Sequence, residues 1–159
     1  MSLRDWGPAS AGHVAGFATP RLARAVRAHW LKGIGHARGS LPEAWLAERP
    51  GILECTGFPR RPRIEPGDRL VYYAAGWRRV FAIVEVTGEP TDREPRTIDP
   101  ARWPWSVTVE PLVVVPHMEN APPVEAIGVG ARSMSQQSHI RLSEEHYERA
   151  VEAIAGVAA

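Results

Sequence analysis

Fourteen glycines and fifteen prolines interrupt a chain of 159 residues, and that density of breakers restricts the fold more than any other feature. Glycine and proline end helices and interrupt strand ladders, so the elements must be short and joined by tight turns. A bundle of long helices is excluded. The chain shows no repeat of fixed period and no block of like charge. Hydrophobic residues make up 44% and charged residues 23%, which is enough apolar material for a core. The length suits one domain, residues 1–159.

Nineteen basic residues face eighteen acidic ones, a formal charge of +1. A chain so nearly neutral does not grip a polyanion by bulk charge, so any such site has to be a local cluster. Every basic residue except Lys32 is arginine. The planar guanidinium fork fits phosphate oxygens and base edges, but composition alone does not separate that use from a solvated surface. Cys55 is the single cysteine, so no intrachain disulfide and no cysteine-rich zinc site is possible. A reducing, cytoplasmic setting is expected. No run approaches the roughly 18 apolar residues of a membrane span, the N-terminus lacks the layout of a secretory signal, and no membrane partner is expected.

Thr19-Pro20 suits a helix start, and Leu22, Val26 and Trp30 follow at i, i+4 and i+8 with Gly33 and Gly35 beyond. The spacing predicts an amphipathic helix within a helical N-terminal extension of about residues 1–50. A second short helix is expected from Pro42 to Ala47. From Ile52 the period changes to that of strands: Ile52–Cys55, Asp68–Ala75, Arg79–Thr87 and Val107–Val115, with a last short strand at Ile140 and Leu142. Ala75 to Arg78 reads as a hairpin loop, Asp92 to Trp103 as a longer loop. Pro111 implies a bulge or corner in the fourth strand, since proline cannot donate to a ladder. Ser143 caps a closing helix with Tyr147, Val151 and Ile154 on one face, and Leu142 with Tyr147 forms a hydrophobic staple. About five mostly antiparallel strands with so little helix close most economically as a small barrel with flanking helices, an α+β fold.

No phosphate-binding loop, dinucleotide fingerprint, zincin helix or nucleophile elbow is present. The six histidines are scattered, and no metal or cofactor is expected. Aromatics are more informative. Six tryptophans occur, and Trp77, Trp103 and Trp105 lie in or beside loops that flank strands. Such rings either pack on the core or offer faces on which a base stacks, worth ~1–3 kcal/mol per base. Arg60, Arg61 and Arg63, with Arg78 and Arg79 in the hairpin, supply local positive charge of the kind that tracks phosphates, or else solvate their loops. The polar run Arg132 to His139 carries Ser133, Ser135, Gln137 and Ser138, donors and acceptors of short reach suited to a base edge or to an ordinary surface loop.

The run I-E-P-G-D-R-L-V-Y-Y from Ile64, V-F-A-I-V-E-V-T-G-E-P from Val80, W-P-W-S-V-T-V-E-P from Trp103 and the closing R-S-M-S-Q-Q-S-H-I-R-L-S-E-E-H-Y resemble the EVE branch of the PUA-like superfamily, which also holds YTH and ASCH domains. The resemblance spans about Pro50 to Ile154. It implies a PUA-like pseudo-barrel whose concave pocket holds a modified or flipped-out nucleobase of RNA or DNA. By this resemblance, Tyr72 or Tyr73 approaches the pocket, together with Trp103, Trp105 and the segment Ser133 to Ser138; Trp77 is expected beside them from its place in the hairpin loop. EVE domains begin with a strand carrying Trp and a nearby Lys, whereas here W-L-K-G-I-G-H-A-R-G-S is expected to precede the barrel. The G-x-K-x-x-E pattern of ASCH domains is missing, which argues against an enzyme. Two rival expectations are an ASCH-like ribonuclease using Glu54, Tyr73 and His139, and a protein-interaction module with exposed tryptophans.

Overall fold

An uninterrupted apolar run marks a strand covered on both faces, and Val80 to Val84 is one: all five residues are buried. The computed structural model describes residues 26–35, 39–93, 97 and 99–158. Within these, six strands, β1 (His29–Ile34), β2 (Cys55–Phe58), β3 (Arg69–Ala74), β4 (Arg79–Val86), β5 (Trp105–Val114) and β6 (His139–Leu142), form a sheet in the order β2-β5-β4-β3-β1-β6. The helices α1 (Trp45–Glu48) and α2 (Glu144–Ala158) and several 3-10 turns complete the described elements.

Two bulges bend this sheet. Ile83 pairs with Val113 and Val84 with Pro111, leaving Leu112 as the extra residue at the expected corner. In the β3–β4 hairpin, Tyr72 pairs with Ala82 and Tyr73 with Val80, so Phe81 is extra. Each bulge increases local twist, and the edge strands β2 and β6 come together. The Phe58 ring meets the His139 ring edge-on, with centroids 5.1 Å apart. The barrel therefore closes through side chains. Trp45 plugs its interior, edge-on to Phe81 at 4.7 Å and donating its indole N–H to the Val115 carbonyl at 2.8 Å.

Strand alternation sorts the remaining side chains. Trp30, Lys32, Tyr72 and His139 share the inner face, because Lys32 pairs with Tyr72 on one side and His139 on the other. His29, Leu31, Arg69 and Val71 share the outer face under α2. There the His29 ring stacks on Tyr147 at 3.7 Å, and Arg69 donates to the Tyr147 hydroxyl at 3.1 Å.

The helix expected to run through Trp30 is instead, in the part the structure describes, the strand β1, parallel to β3 and antiparallel to β6. Trp30 and Leu31 are both buried, which leaves no solvent side for an amphipathic helix. Gly33 also lies too close to the Met134 side chain for an added Cβ to fit easily (3.3 Å). The strands thus number six rather than about five, and one pairing is parallel. Residues 1–25, where the expected helix begins and about half of the N-terminal extension falls, lie outside the described residues. Ile52 and Leu53, expected in a strand, belong to a 3-10 turn (Pro50–Leu53), and the second helix is the single turn α1. The closing helix is as expected: the Ser143 hydroxyl accepts the His146 amide at 3.1 Å, and Leu142 and Tyr147 are both buried. Its inward face is Tyr147, Ala150 and Ile154, with Val151 turned outward.

Candidate nucleic-acid interface

Phe58 and Trp105 are cross-strand partners in the β2–β5 pair, so their rings share the inner face. Phe58 is fully buried. Trp105 is half-buried, with the Arg61 guanidinium over its ring at 5.1 Å. On the other side of Phe58 lie Lys32, whose Nζ stands 4.7 Å from the ring centroid, and His139. Ser138 follows on, its hydroxyl 3.0 Å from His139 Nδ1 and its carbonyl accepting the Gly33 amide at 2.9 Å. Trp105, Phe58, Lys32, His139 and Ser138 therefore form one continuous rim where the sheet edges meet.

The rim is electrostatically unusual. Lys32 is 5% exposed, and burial pulls its ammonium down to about 7. His139 is pushed down to about 4, first by burial and then by the positive charge of Lys32, so its imidazole is neutral at pH 7. Deeper in, burial raises the Tyr72 phenol, which donates to the Ile52 carbonyl at 2.6 Å. Tyr72, rather than Tyr73, is the inner tyrosine.

Trp103 takes a different place from Trp105. A Cβ built on Gly57 would lie 3.0 Å from Trp103 Cβ and 2.5 Å from Thr97 Cγ2. Gly57 faces away from Phe58, so Trp103 covers the opposite side of β2, with Arg102 over its ring at 4.8 Å. Arg60 and Arg63 are exposed in the β2–β3 connection beside Arg61. Ser133, Ser135 and Gln137 are exposed in and after the 3-10 turn Ala131–Met134, which leads into Ser138.

Other expected site residues lie elsewhere. Tyr73 is buried on the outer face, near Arg78 and Glu125. Trp77 packs against the core and donates its indole N–H to the Leu41 carbonyl at 2.7 Å, which makes it a clamp on the hairpin. Arg79 is held through Nη1, which donates to the Glu119 and Ala121 carbonyls at 3.1 and 2.7 Å. Arg78 is exposed at the hairpin tip with φ +59°. Tyr73 and His139 stand on opposite faces of the sheet, and the Glu54, Tyr73 and His139 constellation does not assemble. A concavity of about 390 Å³ lies beside the starts of β1 and α2, lined by Arg27, His29, Arg141 and Glu144 among others, and not between the tryptophans. Among the described residues, no group of three or more His, Cys, Asp or Glu is placed to hold a metal, and no helix is long and apolar enough to cross a membrane.

Of these rim residues, Trp105 and Ser138, with Arg61 over the indole, are among those expected from the sequence, Phe58 and Lys32 are not, and His139 is expected in the rival ribonuclease constellation. The signal available for Lys32 is that it is the chain's single lysine, two residues after a tryptophan.

Solved structures agree with this geometry. The YTH domain of Zygosaccharomyces rouxii MRB1, solved in complex with N6-methyladenosine RNA, aligns with a TM-score of 0.56 at 8% identity, over 88% of this chain and 94% of that one. The fold is PUA-like. Rpa0253 from Rhodopseudomonas palustris aligns with a TM-score of 0.53 at 14% identity, over 82% of this chain and 94% of that one. Atu2648 from Agrobacterium tumefaciens gives 0.51 at 16% identity, over 81% and 92%. No family model and no curated protein matches the sequence. The resemblance carried by the strand and closing-helix motifs thus holds at the level of the fold.

Proposed function

We propose that this PUA-like chain is a non-enzymatic, EVE-type module that binds RNA or DNA and recognises a modified or unpaired base at the rim formed by Trp105, Phe58, Lys32, His139 and Ser138. The observation that carries this reading is the half-exposed Trp105 indole, set on the inner face beside a cluster of hydrogen-bonding groups at the closure of the barrel. An aromatic face next to fixed donors is what a flipped-out base requires: stacking repays the few kcal/mol of unstacking, and the polar groups read an edge. Trp103, reached from the other side of β2, stacks a neighbouring base. Exposed Arg60, Arg61 and Arg63 follow the phosphates, while Ser133, Ser135 and Gln137 line the approach. A related fold in complex with N6-methyladenosine RNA supports the class of ligand.

Titration of fluorescent single-stranded oligonucleotides tests the assignment. Trp105→Ala should weaken binding by about 5- to 100-fold, the range of one base–indole stack. Arg61→Ala should lower the salt slope by about one unit and leave base preference intact. Equal affinities for wild type and Trp105→Ala would reject the site.

A further inference from the structure

The chain holds one lysine, and the fold puts its ammonium where a charge costs most. Lys32 is 5% exposed on the inner face of β1, next to the seam between β2 and β6. Its Nζ donates once, to the Gly33 carbonyl at 2.8 Å, and lies over the Phe58 ring. No carboxylate pairs with it among the described residues, and two of its three N–H groups have no acceptor there. Folding tolerates a buried ammonium when its donors are satisfied and is penalised when they are not. Methionine or leucine would fill the same volume at no such cost. Spare donors at a rim that already carries a stacking face therefore point to a ligand that satisfies them.

Resting on the base-binding reading above, we infer that Lys32 is the specificity-determining donor, selecting bases whose inserted edge carries a carbonyl oxygen over adenine. A carbonyl oxygen is a strong acceptor with no hydrogen of its own, so it can take one of the two spare N–H groups. Adenine has no carbonyl, and its exocyclic amino group sets a donor against an ammonium. Cytosine, uracil, thymine and guanine, with or without a methyl group, satisfy Lys32. Adenine and N6-methyladenine offer it only ring nitrogens, each acceptor on the N6 edge flanked by the amino donor.

The test is a series of single-stranded oligonucleotides, in RNA and in DNA, identical except at one central position carrying cytosine, uracil, guanine, adenine, N6-methyladenine or no base. Wild type should bind the carbonyl-bearing members about tenfold more tightly than the adenine and N6-methyladenine members, the factor that ~1.4 kcal/mol represents, and the abasic member, which lacks the Trp105 stack as well, more weakly still. Lys32→Met should bring the base-bearing members to within about twofold of one another while all of them keep the stacking advantage over the abasic one. A readout on the unmodified chain runs beside it: lysine-selective 15N labelling gives a single side-chain resonance, which should move with the cytosine oligonucleotide and stay still with the abasic one. A preference that survives Lys32→Met, an equal preference for adenine, or an unmoved lysine resonance in the cytosine complex would each overturn the inference and leave base binding standing. Failure of wild type to bind any member overturns both.

Discussion

At the scale of single residues, Lys32 sets the pH behaviour of the fold. Its ammonium titrates at about 7 when folded against 10.5 in the unfolded chain. Between these values the unfolded state binds more protons, so stability rises as pH climbs from 7 to 10.5, and the full burial penalty applies below 7. Lys32→Met should therefore gain most over wild type at pH 6, with a smaller gain at pH 9, in urea denaturation followed by circular dichroism. Parallel stabilities at the two pH values would contradict the burial of a chargeable group. His139 acts in the same direction at lower pH: its folded value of about 4 against 6.5 means stability is lost as pH falls below 6.5. Both residues stand out in the sequence, one as the only lysine and one at the end of a polar run. Their meeting is not legible there, because Leu22, Val26 and Trp30 fit a helical period, and a strand buried on both faces shows no alternation to compete with it.

Secondary-structure elements make more local predictions. Ser143→Ala removes the oxygen that accepts the His146 amide and should cost ~1 kcal/mol, a fall of about 2–4 °C in melting temperature for a domain of this size. Gly57→Ala places a methyl group 2.5 Å from the Thr97 side chain and 3.0 Å from that of Trp103. It should lift Trp103 off β2 at ~1–3 kcal/mol, while Gly51→Ala, with open space around it, costs less than half as much in the same melt. Equal losses would deny the close approach at Gly57. β3, β4 and β5 were readable because their apolar runs end at glycine, proline or a charged turn, and Pro111 announced the bulge. The strand expected over Ile52–Cys55 lies a few residues ahead of β2 because Ile52 and Leu53 are as apolar as the strand that follows. They turn in a 3-10 helix, whose packing depends on tertiary neighbours.

For the whole molecule, closure of the barrel depends on Phe58. Its ring joins β2 to β6 through His139 and lies against Lys32, so Phe58→Ala should cost ~3–5 kcal/mol. Amide exchange should accelerate first in β2 and β6, the strands at the sheet edges, and last in β3 and β4. Uniform acceleration would mean that the seam is not a separate unit. The barrel itself was legible from the order of short strands and the proline corner. The parallel placement of β1 between β3 and β6 was not, since no local pattern encodes which distant strands will flank a given one.

That placement carries a consequence for biosynthesis. β1 pairs on one side with Arg69 to Ala74 and on the other with His139 to Leu142, so an early strand acquires its second neighbour only when the closing segment has been made. Until those residues leave the ribosome, the nascent chain presents the unpaired backbone of His29 to Lys32 as an open edge. During translation this edge is the position most vulnerable to pairing with another polypeptide.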